Sequence, residues 1–130
     1  TRSTYVYEPW GVVAVITPWN FPFYLTNGVT MSALFAGNAV INKPSEFTPL
    51  TGKLYAELLA EAGLPEGVFQ VLQGGGATGA ALVDARPDKV TFTGSVATGR
   101  KVAMACAKHL VPHTLELGGK DPAYVRADAD

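Results

Sequence analysis

Four stretches of the chain group side chains that could do chemistry. In Thr17-Pro18-Trp19-Asn20-Phe21-Pro22, two prolines stiffen a loop that holds one amide between two aromatic rings. The side-chain N–H of Asn20 could donate to an oxyanion developing during acyl transfer, or the loop could be a rigid packing element. Glu116-Leu117-Gly118-Gly119-Lys120 ends an expected strand with a carboxylate, two glycines and an amine. The carboxylate could act as a general base if its surroundings raise its pKa, or it could pair with Lys120. In Lys43-Pro44-Ser45-Glu46 an amine and a carboxylate could share the hydroxyls of a ribose, or form a solvated pair ahead of a helix. In Phe92-Thr93-Gly94-Ser95-Val96-Ala97-Thr98-Gly99 a strand turns into a helix through small residues, and free backbone N–H groups at such a helix start attract phosphate. Ser95 could equally do no more than cap that helix.

A fifth pattern is more conspicuous and says less. Gly74-Gly75-Gly76-Ala77-Thr78-Gly79 satisfies G-x-G-x-x-G between an expected strand and helix. The usual dinucleotide fingerprint adds an acid about twenty positions later, and here the next strand ends Phe92-Thr93-Gly94 without one. A plain glycine turn reads as well as a phosphate loop. Cys106, the only thiol, shares helical spacing with Val102 and Leu110 and has alanines around it. Reactive thiols sit in polar, electropositive surroundings, so Cys106 is expected to be an inert core residue. His109 and His113 have no partners at metal-ligand spacing, and no metal site is expected.

The elements that must position these groups follow from apolar runs and breakers. Val12 to Ile16 is an unbroken apolar run stopped by Thr17-Pro18, as in a strand buried on both faces. Tyr24 to Phe35 is expected to be helical, with Leu25, Val29, Ala33 and Leu34 on one face. Ala39 to Asn42 is a second strand. A helix follows with Thr48 as its cap, Pro49 at its first position, Leu50, Leu54, Leu58 and Ala62 at spacings of four, and Gly63 with Pro65 ending it. Val68 to Leu72 is a strand, Ala77 to Asp84 a helix, Lys89 to Thr93 a strand and Ser95 to His109 a helix. Thr114 to Leu117 and Ala123 to Val125 are expected as further strands. Such alternation predicts an α/β, Rossmann-like fold: a mostly parallel sheet with helices on both faces, because parallel strands need long crossovers.

Composition narrows the function classes. Hydrophobic residues make up 48% and charged residues 16% of the 130 positions, which describes a globular domain and not a disordered tail. Ten Lys and Arg against eleven Asp and Glu leave a net charge of −1 with no basic cluster, which argues against nucleic acid. No apolar run reaches the roughly 18 residues of a membrane helix. A single cysteine suits a reducing compartment, and the sequence reads as cytoplasmic.

The order of these motifs resembles the aldehyde dehydrogenase superfamily from about Tyr7 to Asp130. The resemblance implies that Asn20 stabilises the oxyanion and that Glu116 is the general base. It implies that Lys43 and Glu46 hold the adenosine ribose, that the turn from Phe92 to Gly99 carries the pyrophosphate, and that the glycine run lies toward the adenine. Cofactor contacts are expected at Thr17, Trp19, Lys43, Ser45, Glu46, Gly76, Gly79, Gly94, Ser95 and Gly99. The implied parent enzyme, a homo-oligomer, oxidises an aldehyde to a carboxylic acid by hydride transfer to NAD(P)+ through a cysteine thioester. That cysteine is expected a few tens of residues beyond Glu116. Residues 1–130 are therefore expected to form a partial NAD(P)-binding domain, with the catalytic domain starting at about 118–130, inactive as a segment alone. NAD is preferred to NADP because the Glu46 carboxylate would repel a 2′-phosphate. Two alternatives stand beside this reading: a non-catalytic nucleotide-binding module, and a reductase or CoA-acylating branch of the same superfamily, for which a general base at Glu116 is less expected.

Overall fold

The computed structural model describes residues 2–130. Nine elements alternate along the chain: β1 (Val12–Ile16), α1 (Pro22–Phe35), β2 (Ala39–Lys43), α2 (Pro49–Glu61), β3 (Phe69–Val71), α3 (Gly76–Asp84), β4 (Lys89–Gly94), α4 (Val96–His109) and β5 (His113–Leu117). The strands form one sheet in the order β3-β2-β1-β4-β5, and every pairing is parallel. Each strand returns to the same edge of the sheet through a helix, the crossover that parallel pairing demands.

Side chains alternate across the strands, so β1 feeds two cores at once. Ala14 and Ile16 join Leu82, Val83, Val90, Phe92, Val102, Cys106 and Val111 beneath α3 and α4. Val13 and Val15 join Val40 on the other face, where Val29, Ala33 and Leu34 of α1 and Phe69 of β3 close over them. Two polar side chains fasten the lower edge of β1: Asp88 accepts from the N–H of Val12 at 2.7 Å, and Asn38 accepts from that of Gly11 at 3.0 Å.

Several expectations need correction. Residues 123–125 are not a strand; the chain past Leu117 carries no regular element to its end. β3 is shorter than the apolar run, and α1 starts at Pro22, whose fixed φ suits the first helical position. Thr48 precedes α2 but makes no side-chain cap, and its buried hydroxyl has no partner among the described residues. The leucines at spacings of four do not face the core: Leu50 is 76% exposed and Leu54 50%. α2 instead buries Gly52 and Tyr55. A Cβ at Gly52 would lie 2.6 Å from Pro44 Cγ, so the glycine lets the helix approach the β2–α2 loop and turns the leucines outward. Tyr55 then takes the core side, edge-on to Phe23 and Phe69, and donates from its hydroxyl to Asn27 Oδ1 at 3.1 Å. Leu110 is likewise outside. It adopts a left-handed conformation that ends α4, and Val111 is buried in its place.

Candidate functional site

The strand order reverses between β1 and β4, since the chain runs outward from β1 to β3 and then crosses back to β4 and β5. The helices on either side diverge there and leave a crevice outside the carboxyl ends of the strands, where open α/β sheets bind ligands. A cavity of about 590 Å³ occupies this place. Ile16 with Thr17 and Pro18 lines it at the end of β1, Lys43 with Ser45 and Glu46 at the end of β2, and Phe92, Thr93 and Gly94 from β4. Ala80 and Val83 of α3 face Val102 and Ala105 of α4 across it, forming an apolar slot.

The β2 end is shaped by local bonds. Thr17 donates its N–H to the Lys43 carbonyl at 3.2 Å, which keeps β1 and β2 paired past the last strand residue. The Thr17 hydroxyl is tied to that of Thr26 at 3.0 Å, so it braces α1 while the residue lines the cavity. Ser45 Oγ accepts from the Phe47 N–H at 3.3 Å and its carbonyl accepts from Thr48, a turn that carries Glu46 back over Lys43. The buried Lys43 ammonium then donates to Glu46 Oε2 at 3.3 Å, with the carboxylate half exposed. A backbone hydrogen bond at Glu46, and then the Lys43 charge, hold that carboxyl below its ordinary value of 4.5. An amine that can donate and a carboxylate that can accept thus sit together at the cavity wall, the pair of functions a vicinal diol needs.

The glycines divide by role. Gly76 and Gly79 line the cavity, and a Cβ at Gly79 would be 3.9 Å from Lys43 Cδ, so α3 runs close along the lysine stem. Gly74 adopts φ +149° and packs against Thr78, where a side chain would collide. The run is therefore both a tight turn and a helix start, with the N–H groups of the first turn of α3 left free at the cavity. Gly94 lines the cavity as well, over the Phe92 ring.

Of the twelve residues singled out from sequence, the cavity brings together Thr17, Lys43, Ser45, Glu46, Gly76, Gly79 and Gly94. The other five lie outside its lining. Ser95 caps α4, accepting from the Thr98 N–H at 3.2 Å and donating to the Thr98 hydroxyl at 3.0 Å. Gly99 is buried against Leu117 of β5, so its small size serves the contact between α4 and the sheet. Trp19 and Asn20 are exposed in the loop after β1, and Glu116 is exposed on the edge strand β5, opposite Thr93. Cys106 is fully buried, and burial pushes its thiol up, away from the thiolate a nucleophile needs. Among the described residues no group of three His, Cys, Asp or Glu could hold a metal ion, and no helix is long and apolar enough to cross a membrane.

Thr98 lies in the Phe92–Gly99 stretch already singled out, but the rest of the α4 wall was missed: Lys101, Val102 and Ala105, three, four and seven residues further on. That spacing marks one helical face. That signal was legible, but it looked like an ordinary core stripe because only the fold shows that α3 stands opposite.

A family model described as the aldehyde dehydrogenase family matches residues 1–130. The chain belongs to that family. Among its relatives is a 4,4'-diapolycopene aldehyde oxidase from Methylomonas sp., 55% identical over 123 residues that make up 95% of this chain and 23% of that protein. An aldehyde dehydrogenase from Bacillus cereus, solved as its NAD+ complex, superposes with a TM-score of 0.88 at 44% identity, over 95% of this chain and 26% of the other. A putative aldehyde dehydrogenase from Burkholderia cenocepacia superposes with a TM-score of 0.90 at 48% identity, over 96% of this chain and 27% of the other. The chain spans about a quarter of the length of these members of the aldehyde dehydrogenase family.

Proposed function

We propose that residues 1–130 form the seat of a nicotinamide dinucleotide in an enzyme that oxidises an aldehyde to a carboxylic acid. The observation that carries this reading is the crevice between β1 and β4, with the Lys43–Glu46 pair on one wall and an apolar slot on the other. The residues fit an adenosine diphosphate. Lys43 Nζ would donate to, and Glu46 accept from, the hydroxyls of the adenosine ribose. Ala80, Val83, Val102 and Ala105 offer flat apolar walls to a base and keep water from its faces. The N–H groups at the start of α3, and those of Val96 and Ala97 that the Ser95 cap leaves over at the start of α4, would donate to the phosphates. When bound, the nicotinamide supplies a hydride acceptor.

The remaining assignments concern the aldehyde end. Asn20, exposed on the loop beyond β1, would donate its side-chain N–H to the oxyanion. Glu116, exposed near the carboxyl end of β5, would accept a proton from the water that releases the acid. The nucleophile is a cysteine outside residues 1–130, because Cys106 sits on the buried face of α4, where burial pushes its thiol up. NAD+ is the preferred dinucleotide, since the Glu46 carboxylate opposes a 2′-phosphate.

Calorimetric titration of the full-length enzyme with NAD+ tests the reading. Lys43→Ala removes a charge-assisted donor of roughly 1.5–3 kcal/mol and should weaken binding about 10- to 100-fold. Absence of heat at millimolar NAD+ with the folded wild-type enzyme would sink the proposal.

A further inference from the structure

Three ionisable side chains line the cavity, and they are not equivalent. Lys43 and Glu46 neutralise each other across 3.3 Å. The third, Lys101, stands on the cavity face of α4 with Thr98, Val102 and Ala105. The ion pairs among the described residues are Lys43–Glu46, Lys53–Glu57 and Arg126–Asp128, so Lys101 has no carboxylate partner. It is exposed, and its ammonium remains free to follow a ligand. The cavity wall as a whole carries one uncompensated positive charge, and that charge belongs to α4 and not to Lys43 at the end of β2.

We infer that Lys101 is an affinity determinant for the charge of an adenine nucleotide, and that it offsets the repulsion between Glu46 and additional phosphate on the adenosine. The inference rests on the nucleotide-binding reading above. It concerns a residue that would act through charge at the rim of the slot, without touching the reacting atoms. A flexible ammonium at such a rim attracts a dianion more than a neutral ligand, and a ligand carrying two phosphates most of all. The attraction is moderate because water and salt screen it. It would make the site more tolerant of a 2′-phosphate than Glu46 alone would allow.

The test is a titration of the full-length enzyme and its Lys101→Gln and Lys101→Arg variants with adenosine, 5′-AMP and 2′,5′-ADP, read by calorimetry at low and high salt. For Lys101→Gln the expected loss is none for adenosine, about two- to four-fold for 5′-AMP and about three- to ten-fold for 2′,5′-ADP, shrinking toward one at high salt. Lys101→Arg should retain most of the wild-type affinity. A packing role would weaken all three ligands alike and would overturn the inference, as would unchanged affinity for both nucleotides. If the wild-type enzyme binds none of the three, the nucleotide-binding reading fails first and the inference with it.

Discussion

On the α3 and α4 side of the sheet, Ala14, Ile16, Leu82, Val83, Val90, Phe92, Val102, Cys106 and Val111 form one apolar mass. On the α1 side three valines share the interior with buried polar groups: Thr26 and Thr30 of α1 and Asn42 of β2. Asn42 donates to the Val15 carbonyl at 3.0 Å, yet its Oδ1 and the Thr30 hydroxyl have no partner among the described residues. The slot proposed for the base opens from the apolar side. Dispersion and exclusion of water set its shape, so its walls can be small and need no hydrogen bonds. The α1 side buys its position through specific bonds, Thr17 to Thr26 and Tyr55 to Asn27. The lesson is that one face supplies mass and the other supplies register.

The contrast can be broken at several points, and thiol chemistry gives the largest effect. Cys106 lies within the apolar mass, so an alkylating reagent should modify it at least ~1000-fold more slowly in the folded protein than in urea, given global stabilities of roughly 5 kcal/mol or more. Peptide-resolved mass spectrometry reads the ratio, and rapid native labelling would show that this face opens. Next, Phe92→Ala removes a ring at 5% exposure and should cost about 3–5 kcal/mol in urea unfolding, while also widening the cavity floor.

Smaller changes sharpen the other face. Tyr55→Phe keeps both edge-on ring contacts and loses one hydrogen bond, so about 1 kcal/mol should be lost. Thr30→Val removes an unpartnered buried hydroxyl at nearly constant shape and should be neutral or stabilising by up to ~1 kcal/mol. A clear loss there would mean that the hydroxyl has a partner, such as a bound water. The smallest effect concerns Glu46. Its carboxyl is depressed in the fold, so its contribution is complete above the ordinary value of 4.5 and is lost as pH falls through the lower folded value. With half the side chain in water the loss should be roughly 0.3 kcal/mol, visible as a difference between wild type and Glu46→Gln in acid unfolding.

Much of the fold was legible because its signals are local. The unbroken run Val12 to Ile16 can satisfy its neighbours only from inside a parallel sheet, and Gly63 with Pro65 can only end a helix. Lys43, Glu46, Gly76, Gly79 and Gly94, which line the crevice, lay in stretches that residue type and order had already singled out. The leucines of α2 misled for a reason equally physical. Periodicity defines a stripe without saying which stripe meets the sheet, and here Gly52 against Pro44 decided the rotation. The strand expected at Ala123 to Val125 failed because an apolar triplet has no value as a strand without a neighbour to pair with.

Residue type and order alone carried the order of elements, the parallel class of the sheet, the inert setting of Cys106 and the neighbouring amine and carboxylate of Lys43 and Glu46. Those properties depend on side-chain type and near-neighbour spacing, which the chain carries in one dimension. It took the folded sheet to show that Lys43 is buried while Glu46 is not, that Ser95 and Gly99 serve α4 itself, and that α4 brings Lys101, without an ion-pair partner among the described residues, to the cavity. Burial and pairing are relations between segments distant in sequence, and they exist only once the strand order has brought β1, β2 and β4 to one edge.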